Sequence, residues 1–174
     1  MRQAPPKLYD SVLITGGGGM LAKALRETLS ARGVTAICPP RAELDIASDR
    51  AIRESFARHE PTLVFNCAAY TKVDLAEKER SAAEAINGQA VGLLAEVASE
   101  FGSTLVHFST DYVFDGSLTR PLQPGDPVGP RSAYGLSKLI GEEQLQATAT
   151  SRWLILRTAW LYGRGGACFP ATMV

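Results

Sequence analysis

Apolar residues occur along the chain in two rhythms. Short continuous runs alternate with longer stretches in which they recur every three or four positions, and glycine, proline or aspartate separates the two. Ser11 to Thr15 is the first continuous run and predicts a strand, which ends in the four glycines Gly16 to Gly19. Met20 to Arg32 follows at helical spacing, with Leu21, Leu25 and Leu29 on one stripe and Gly33 as its stop. The same reading predicts strands at Val34–Cys38, Thr62–Asn66, Thr104–Ser109 and Trp153–Thr158. It predicts helices at Asp49–His59 behind the N-cap Ser48, from about Arg80 to Phe101, and at Ala133–Thr148. Strands joined by helices describe an α/β fold, a doubly wound parallel sheet with helices on both faces. The Pro121 to Pro130 stretch reads as a loop inside this series. Residues 1–10 are expected to form an N-terminal tail and residues 11–174 a single domain.

Composition narrows the partners. Eighteen basic residues balance eighteen acidic ones, and no Lys/Arg block is present. Nucleic acid and anionic membranes therefore lose their usual electrostatic attraction. No apolar run approaches the roughly 20 residues of a spanning helix, and Pro5, Pro6 and charges occupy the place of a secretory signal, so the expected location is the cytoplasm. Cys38, Cys67 and Cys168 lie far apart without a CxxC pair, which predicts reduced, mostly buried thiols and no zinc site. His59 reads as a solvated helix end. His107 interrupts an apolar run and reads as a satisfied histidine of the core or sheet.

The glycines stand where the first strand turns into the first helix, where a tight turn must let a pyrophosphate approach backbone N–H groups and the helix N-terminus. Two registers fit a Rossmann-like dinucleotide fingerprint: Gly17, Gly19 and Ala22, or Gly16, Gly19 and Ala22 behind Thr15. The second strand ends without the acidic residue that grips a ribose diol. Arg41 could face a 2′-phosphate, which leans toward NADPH, or be a solvated loop charge. Asp45 and Ile46 would lie within reach of an adenine edge. Tyr134 and Lys138 are four apart on a predicted helix and share a face, a spacing suited to proton transfer in which the cation lowers the phenol pKa. Ser109, Thr110 and Asp111 at the end of the fourth strand offer a hydroxyl for the same carbonyl oxygen.

Asn66-Cys67-Ala68-Ala69-Tyr70-Thr71, Ser109-Thr110-Asp111-Tyr112-Val113-Phe114-Asp115-Gly116, Tyr134-Gly135-Leu136-Ser137-Lys138 and Arg157-Thr158-Ala159-Trp160 together resemble the dTDP-4-dehydrorhamnose reductase family of extended short-chain dehydrogenase/reductases. The resemblance runs from about Ser11 to the end of the chain. It implies an NAD(P)-binding domain that reduces a 4-keto nucleotide sugar to dTDP-L-rhamnose with NADPH or NADH. Gly19, Met20 and Leu21 would line the pyrophosphate beside Gly16 of the fingerprint, Asp45 and Ile46 the adenosine, and Ala68, Ala69 and Tyr70 the middle of the cofactor. Thr110 would polarise the sugar carbonyl and Tyr134 would donate the proton. Lys138 would hold the nicotinamide ribose and tune Tyr134, and Asp111 and Trp160 would touch the dTDP-sugar, ordinary core being the lesser reading of Trp160. No residue is assigned to a metal. The resemblance leaves open a Mg2+ ion at a subunit interface and a homodimer.

Related 4,6-dehydratases carry an acidic residue where this chain has Tyr112, so elimination lacks its acid and reduction is favoured. Family members continue well past residue 174, so the substrate lobe is expected to be largely absent and apolar surface to lie bare. A rival from another class is a non-catalytic NADP-binding module resembling the regulatory subunit of methionine adenosyltransferase.

Overall fold

The computed structural model describes residues 10–148, 152–164 and 166. Five parallel strands, β1 (Val12–Thr15), β2 (Ala36–Ile37), β3 (Leu63–Asn66), β4 (Thr104–Thr110) and β5 (Trp153–Thr158), form one sheet in the order β2-β1-β3-β4-β5. The expected Rossmann-like fold is the one observed. Helices α1 (Met20–Ala31), α2 (Asp49–His59), α5 (Ala90–Glu100) and α6 (Ala133–Gln146) make the crossovers, with two short helices, α3 (Val73–Ala76) and α4 (Arg80–Glu84), between β3 and α5. Alternation along the strands sorts the core. Leu13, Val64 and Leu105 pack with Ile52 and Phe56 of α2, Leu94 of α5 and Leu145 of α6. Val12, Leu63 and Val106 face the other way, toward Leu29 of α1.

The two faces are covered unequally. Among the described residues α1 packs on one side, against β1 and β2, while α2, α5 and α6 crowd the other. Leu154 and Leu156 of β5 are consequently left exposed.

Local signals placed most boundaries. The Ser48 hydroxyl accepts from the Ala51 N–H at 3.2 Å, as its N-cap reading requires, and Ser132 caps α6 through Gly135 N–H at 3.0 Å. The expected single helix from Arg80 to Phe101 needs correction. Its course contains a π-helical turn, Ala85–Gln89, between α4 and α5. Asn87 and Gly88, poor helix formers, sit in that turn, and the Asn87 side chain bonds outside the helix. The 121–130 stretch is a loop tied to the domain, for Gly129 N–H donates to the Val113 carbonyl and Arg157 to that of Pro124. Cys38 and Cys67 are free thiols but half-buried, a partial departure from the expectation, and burial pushes Cys67 up to about 12. Cys168 lies outside the described residues.

Candidate active site at the carboxyl edge of the sheet

All five strands run the same way, so Gly16, Cys67 and Asp111 leave the sheet at one edge. The strand order reverses between β1 and β3, which opens a crevice at that edge. Two glycines make the β1–α1 turn sterically obligatory. Gly16 has φ +67°, and a Cβ there would lie 2.8 Å from the Ala68 backbone. On Gly17 it would lie 2.6 Å from the Pro39 carbonyl oxygen. Gly18 faces open space, with nothing within 4 Å of such a Cβ. Gly19 is the N-cap of α1 and offers no side-chain cap, unlike Ser48 and Ser132, and the first turn carries no acidic residue. Unsatisfied N–H groups beside an open backbone fit a diphosphate. Met20 and Leu21 begin α1, and the chain after β5 passes over them, a Cβ on Gly163 lying 3.6 Å from the Met20 sulfur.

The adenosine-side residues are arranged differently from one another. Arg41 and Asp45 pair at 3.2 Å on the surface, Asp45 also accepting from the Ala47 N–H at 3.1 Å. Ile46 is in the core at 2 % exposure. Ala68 and Tyr70 are half-buried and Ala69 is exposed, in the loop against Gly16.

At the other end of the edge Thr110 is buried, its hydroxyl donates to Asp111 Oδ1 at 3.1 Å and accepts from the Tyr112 N–H at 3.2 Å, and it stands close enough to the Tyr134 phenol to pull that group's pKa down. The Tyr112 ring stands edge-on to Tyr134, with 6.0 Å between centroids. Tyr134 and Tyr70 both pack against the small residues Ala76, Ala83 and Ala133, which joins the phenol to the loop that abuts Gly16. Ser109 Oγ is buried with no partner among the described residues. Trp160 is 70 % exposed and takes left-handed backbone at φ 51°.

One expectation is overturned. The Lys138 ammonium was expected to lower the Tyr134 pKa, yet the phenol stands above its ordinary value because burial outweighs the Thr110 hydrogen bond, with Asp111 and Tyr112 adding to the rise. Lys138 reaches β4, with Nζ 2.6 Å from the Phe108 carbonyl oxygen and 3.2 Å from His107 Nε2. Desolvation pushes it down to about 8, against a smaller opposing pull from Glu142.

Three polar residues escaped the sequence reading as parts of the site. Asn87 accepts from the Tyr70 N–H at 2.8 Å and donates to the Tyr70 carbonyl at 2.9 Å and Ser137 Oγ at 3.0 Å, pinning the cofactor-side loop to the helix of Tyr134. The Asn-Gly pair inside a long helical pattern was its only signal. Glu77 accepts from Ala133 N–H at 2.7 Å at the start of α6. Glu142 is ion-paired with Arg157 at 2.6 Å, almost fully buried, and Arg157 lies over the Phe114 ring at 4.8 Å. No group of three or more His, Cys, Asp or Glu side chains suited to a metal occurs among the described residues. Among them, no helix is long and apolar enough to cross a membrane.

Comparison with known proteins now adds to this geometry. The profile of the family described as RmlD substrate binding domain matches residues 10–174. The chain belongs to that family. It is 43 % identical over 162 residues to a dTDP-4-dehydrorhamnose reductase of Streptomyces griseus, covering 93 % of this chain and 53 % of the relative. It is 42 % identical over 163 residues to the spore coat polysaccharide biosynthesis protein SpsK of Bacillus subtilis, covering 94 % and 57 %. A solved dTDP-4-dehydrorhamnose reductase from Bacillus anthracis, in complex with NADP, superposes with a TM-score of 0.91 at 36 % identity, covering 95 % of this chain and 59 % of that one. The chain of this RmlD-family protein thus spans little more than half the length of the relatives it matches.

Proposed function

We propose that this RmlD-family chain carries the nucleotide-binding and proton-donating part of a reductase that converts the 4-keto group of dTDP-4-dehydro-L-rhamnose to the alcohol of dTDP-L-rhamnose. The observation that carries the reading is the joint placement of Thr110 and Tyr134 at one end of the edge that begins at the uncapped N-terminus of α1. NADPH or NADH, when bound, supplies the hydride. Gly16, Gly19, Met20 and Leu21 receive the diphosphate, and Ala68, Ala69 and Tyr70 line the middle of the cofactor. Asp45 and Ile46 border the adenosine, and Arg41 would leave Asp45 to meet a 2′-phosphate. Thr110 donates to the developing alkoxide and Tyr134 delivers its proton. A phenol held above its ordinary pKa is fully protonated at neutral pH, as a general acid must be. Lys138 holds the nicotinamide ribose, and Asp111 and Trp160 meet the sugar. Residues 11–174 act as one NAD(P)-binding domain, and a homodimer belongs to the same reading.

The test is NADPH or NADH oxidation by the 174-residue chain with the keto sugar. Turnover that is lost in Tyr134→Phe supports the proposal. Nucleotide-induced thermal stabilisation without turnover would instead leave a binding module, and neither effect would sink both.

A further inference from the structure

His107, at 0 % exposure, lies in the middle of an unbroken polar chain inside the sheet. Ala68 N–H donates to Thr15 Oγ1 at 3.2 Å, and the Thr15 hydroxyl donates to Asn66 Oδ1 at 2.7 Å. Asn66 Nδ2 meets His107 Nδ1 at 3.1 Å, and His107 Nε2 meets Lys138 Nζ at 3.2 Å. Lys138 then donates to the Phe108 carbonyl at 2.6 Å. Burial first, and the Lys138 charge second, hold the imidazole far below its usual pKa, so it is neutral and has a single ring proton.

That one proton forces a choice. With Asn66 Nδ2 donating to Nδ1, the ring proton is on Nε2, and Lys138 must accept through the lone pair of a neutral amine. An ammonium has no lone pair, so Nε2 must accept from it and the ring proton must sit on Nδ1. The Asn66 amide must then turn its carbonyl toward His107 and its NH2 toward Thr15 Oγ1, whose two lone pairs can take both donors. The first arrangement keeps every contact of the chain, whereas the second takes Asn66 Oδ1 away from the buried Thr15 hydroxyl proton, so the ammonium form costs the chain one hydrogen bond.

We propose that Asn66 and His107 are positioning residues that form a two-state switch, in which the Lys138 charge is tied to the His107 tautomer and the Asn66 amide orientation, and through Thr15 to the start of the nucleotide loop. The change from ammonium to amine releases one proton to water and moves the ring proton from Nδ1 to Nε2. Its bearing on catalysis rests on the reductase reading of Lys138. The groups facing Lys138 are His107 and the Phe108 carbonyl from β4, with Glu142 one turn along α6; Tyr134 lies one turn before it on the same helix. Glu142 is held by Arg157 from β5.

The experiment is a pH titration of the 174-residue chain labelled with 15N at histidine and lysine, from well below to well above pH 8. The chain has two histidines, so His59 serves as the internal control. The expected result is a neutral His107 that passes from the Nδ1–H to the Nε2–H form at the same midpoint as the Lys138 amine. Asn66→Asp, an acceptor only, should hold the Nδ1–H form throughout and raise the Lys138 midpoint by about one unit. A single His107 tautomer across the Lys138 titration, an imidazolium, or an unmoved midpoint in Asn66→Asp would overturn the proposal. If that variant does not fold, the wild-type titration decides alone. A switch without NADPH oxidation leaves this inference standing and removes the reductase, while turnover without a switch does the reverse.

Discussion

Three adjacent glycines should respond to the same substitution in three different ways. In Gly16→Ala the new Cβ sits at positive φ, costing about 1–2 kcal/mol. It also presses into the Ala68 backbone at 2.8 Å, an overpacking cost of about 1–3 kcal/mol. Together these give roughly 2–5 kcal/mol, or a melting temperature lower by about 4–20 °C. Gly17→Ala meets two carbonyl oxygens, of Pro39 at 2.6 Å and Cys38 at 2.7 Å, without a φ penalty, and should lose about 1–3 kcal/mol. Gly18→Ala meets nothing within 4 Å and should melt within about 0.5 kcal/mol of the wild type. Nucleotide separates the third from the others. NADPH at a hundred times its Kd stabilises the wild type by about 2.7 kcal/mol, and a methyl on the open backbone of Gly18 should remove most of that gain. The assay is a thermal melt of each variant with and without NADPH. Full NADPH stabilisation of Gly18→Ala would show that no diphosphate lies on this loop. An unchanged melt for Gly16→Ala would refute the steric argument itself.

Tyr134→Phe should lower the rate of NADPH-dependent keto-sugar reduction by about 10²–10⁴ while leaving nucleotide binding intact, read by steady-state kinetics beside a melt with NADPH. Glu142→Ala should cost about 3–5 kcal/mol in a denaturant titration, since it leaves the Arg157 guanidinium without its buried partner. Asn87→Ala should cost about 1–3 kcal/mol by stranding Tyr70 N–H, and hydrogen exchange at Tyr70 should speed up. Lys138 titrates near 8 when folded and near 10.5 when unfolded, so the unfolded chain binds the extra proton between those values. Stability should therefore rise with pH across that window, and the rise should vanish in Lys138→Met when the two unfolding curves are compared.

The sequence by itself determined the elements and their chemistry. Helix α2 begins and ends where Ser48 and the apolar spacing of Ile52 and Phe56 put it, because a cap and a stripe are local properties. The four glycines and the Tyr134/Lys138 spacing were legible for the same reason. Tertiary structure decided which way those side chains point. Lys138 shares a helix face with Tyr134, but β4 claims its ammonium through Phe108 and His107, and burial then raises the phenol that the lysine was expected to acidify. Asn87 lies unremarked inside a helical pattern, and His107 reads as an ordinary core or sheet residue. Their partners are 17 and 50 positions away for Asn87 and 41 and 31 for His107. Proton position and pKa follow from burial and from groups distant in the chain, and a local pattern of residue types encodes neither.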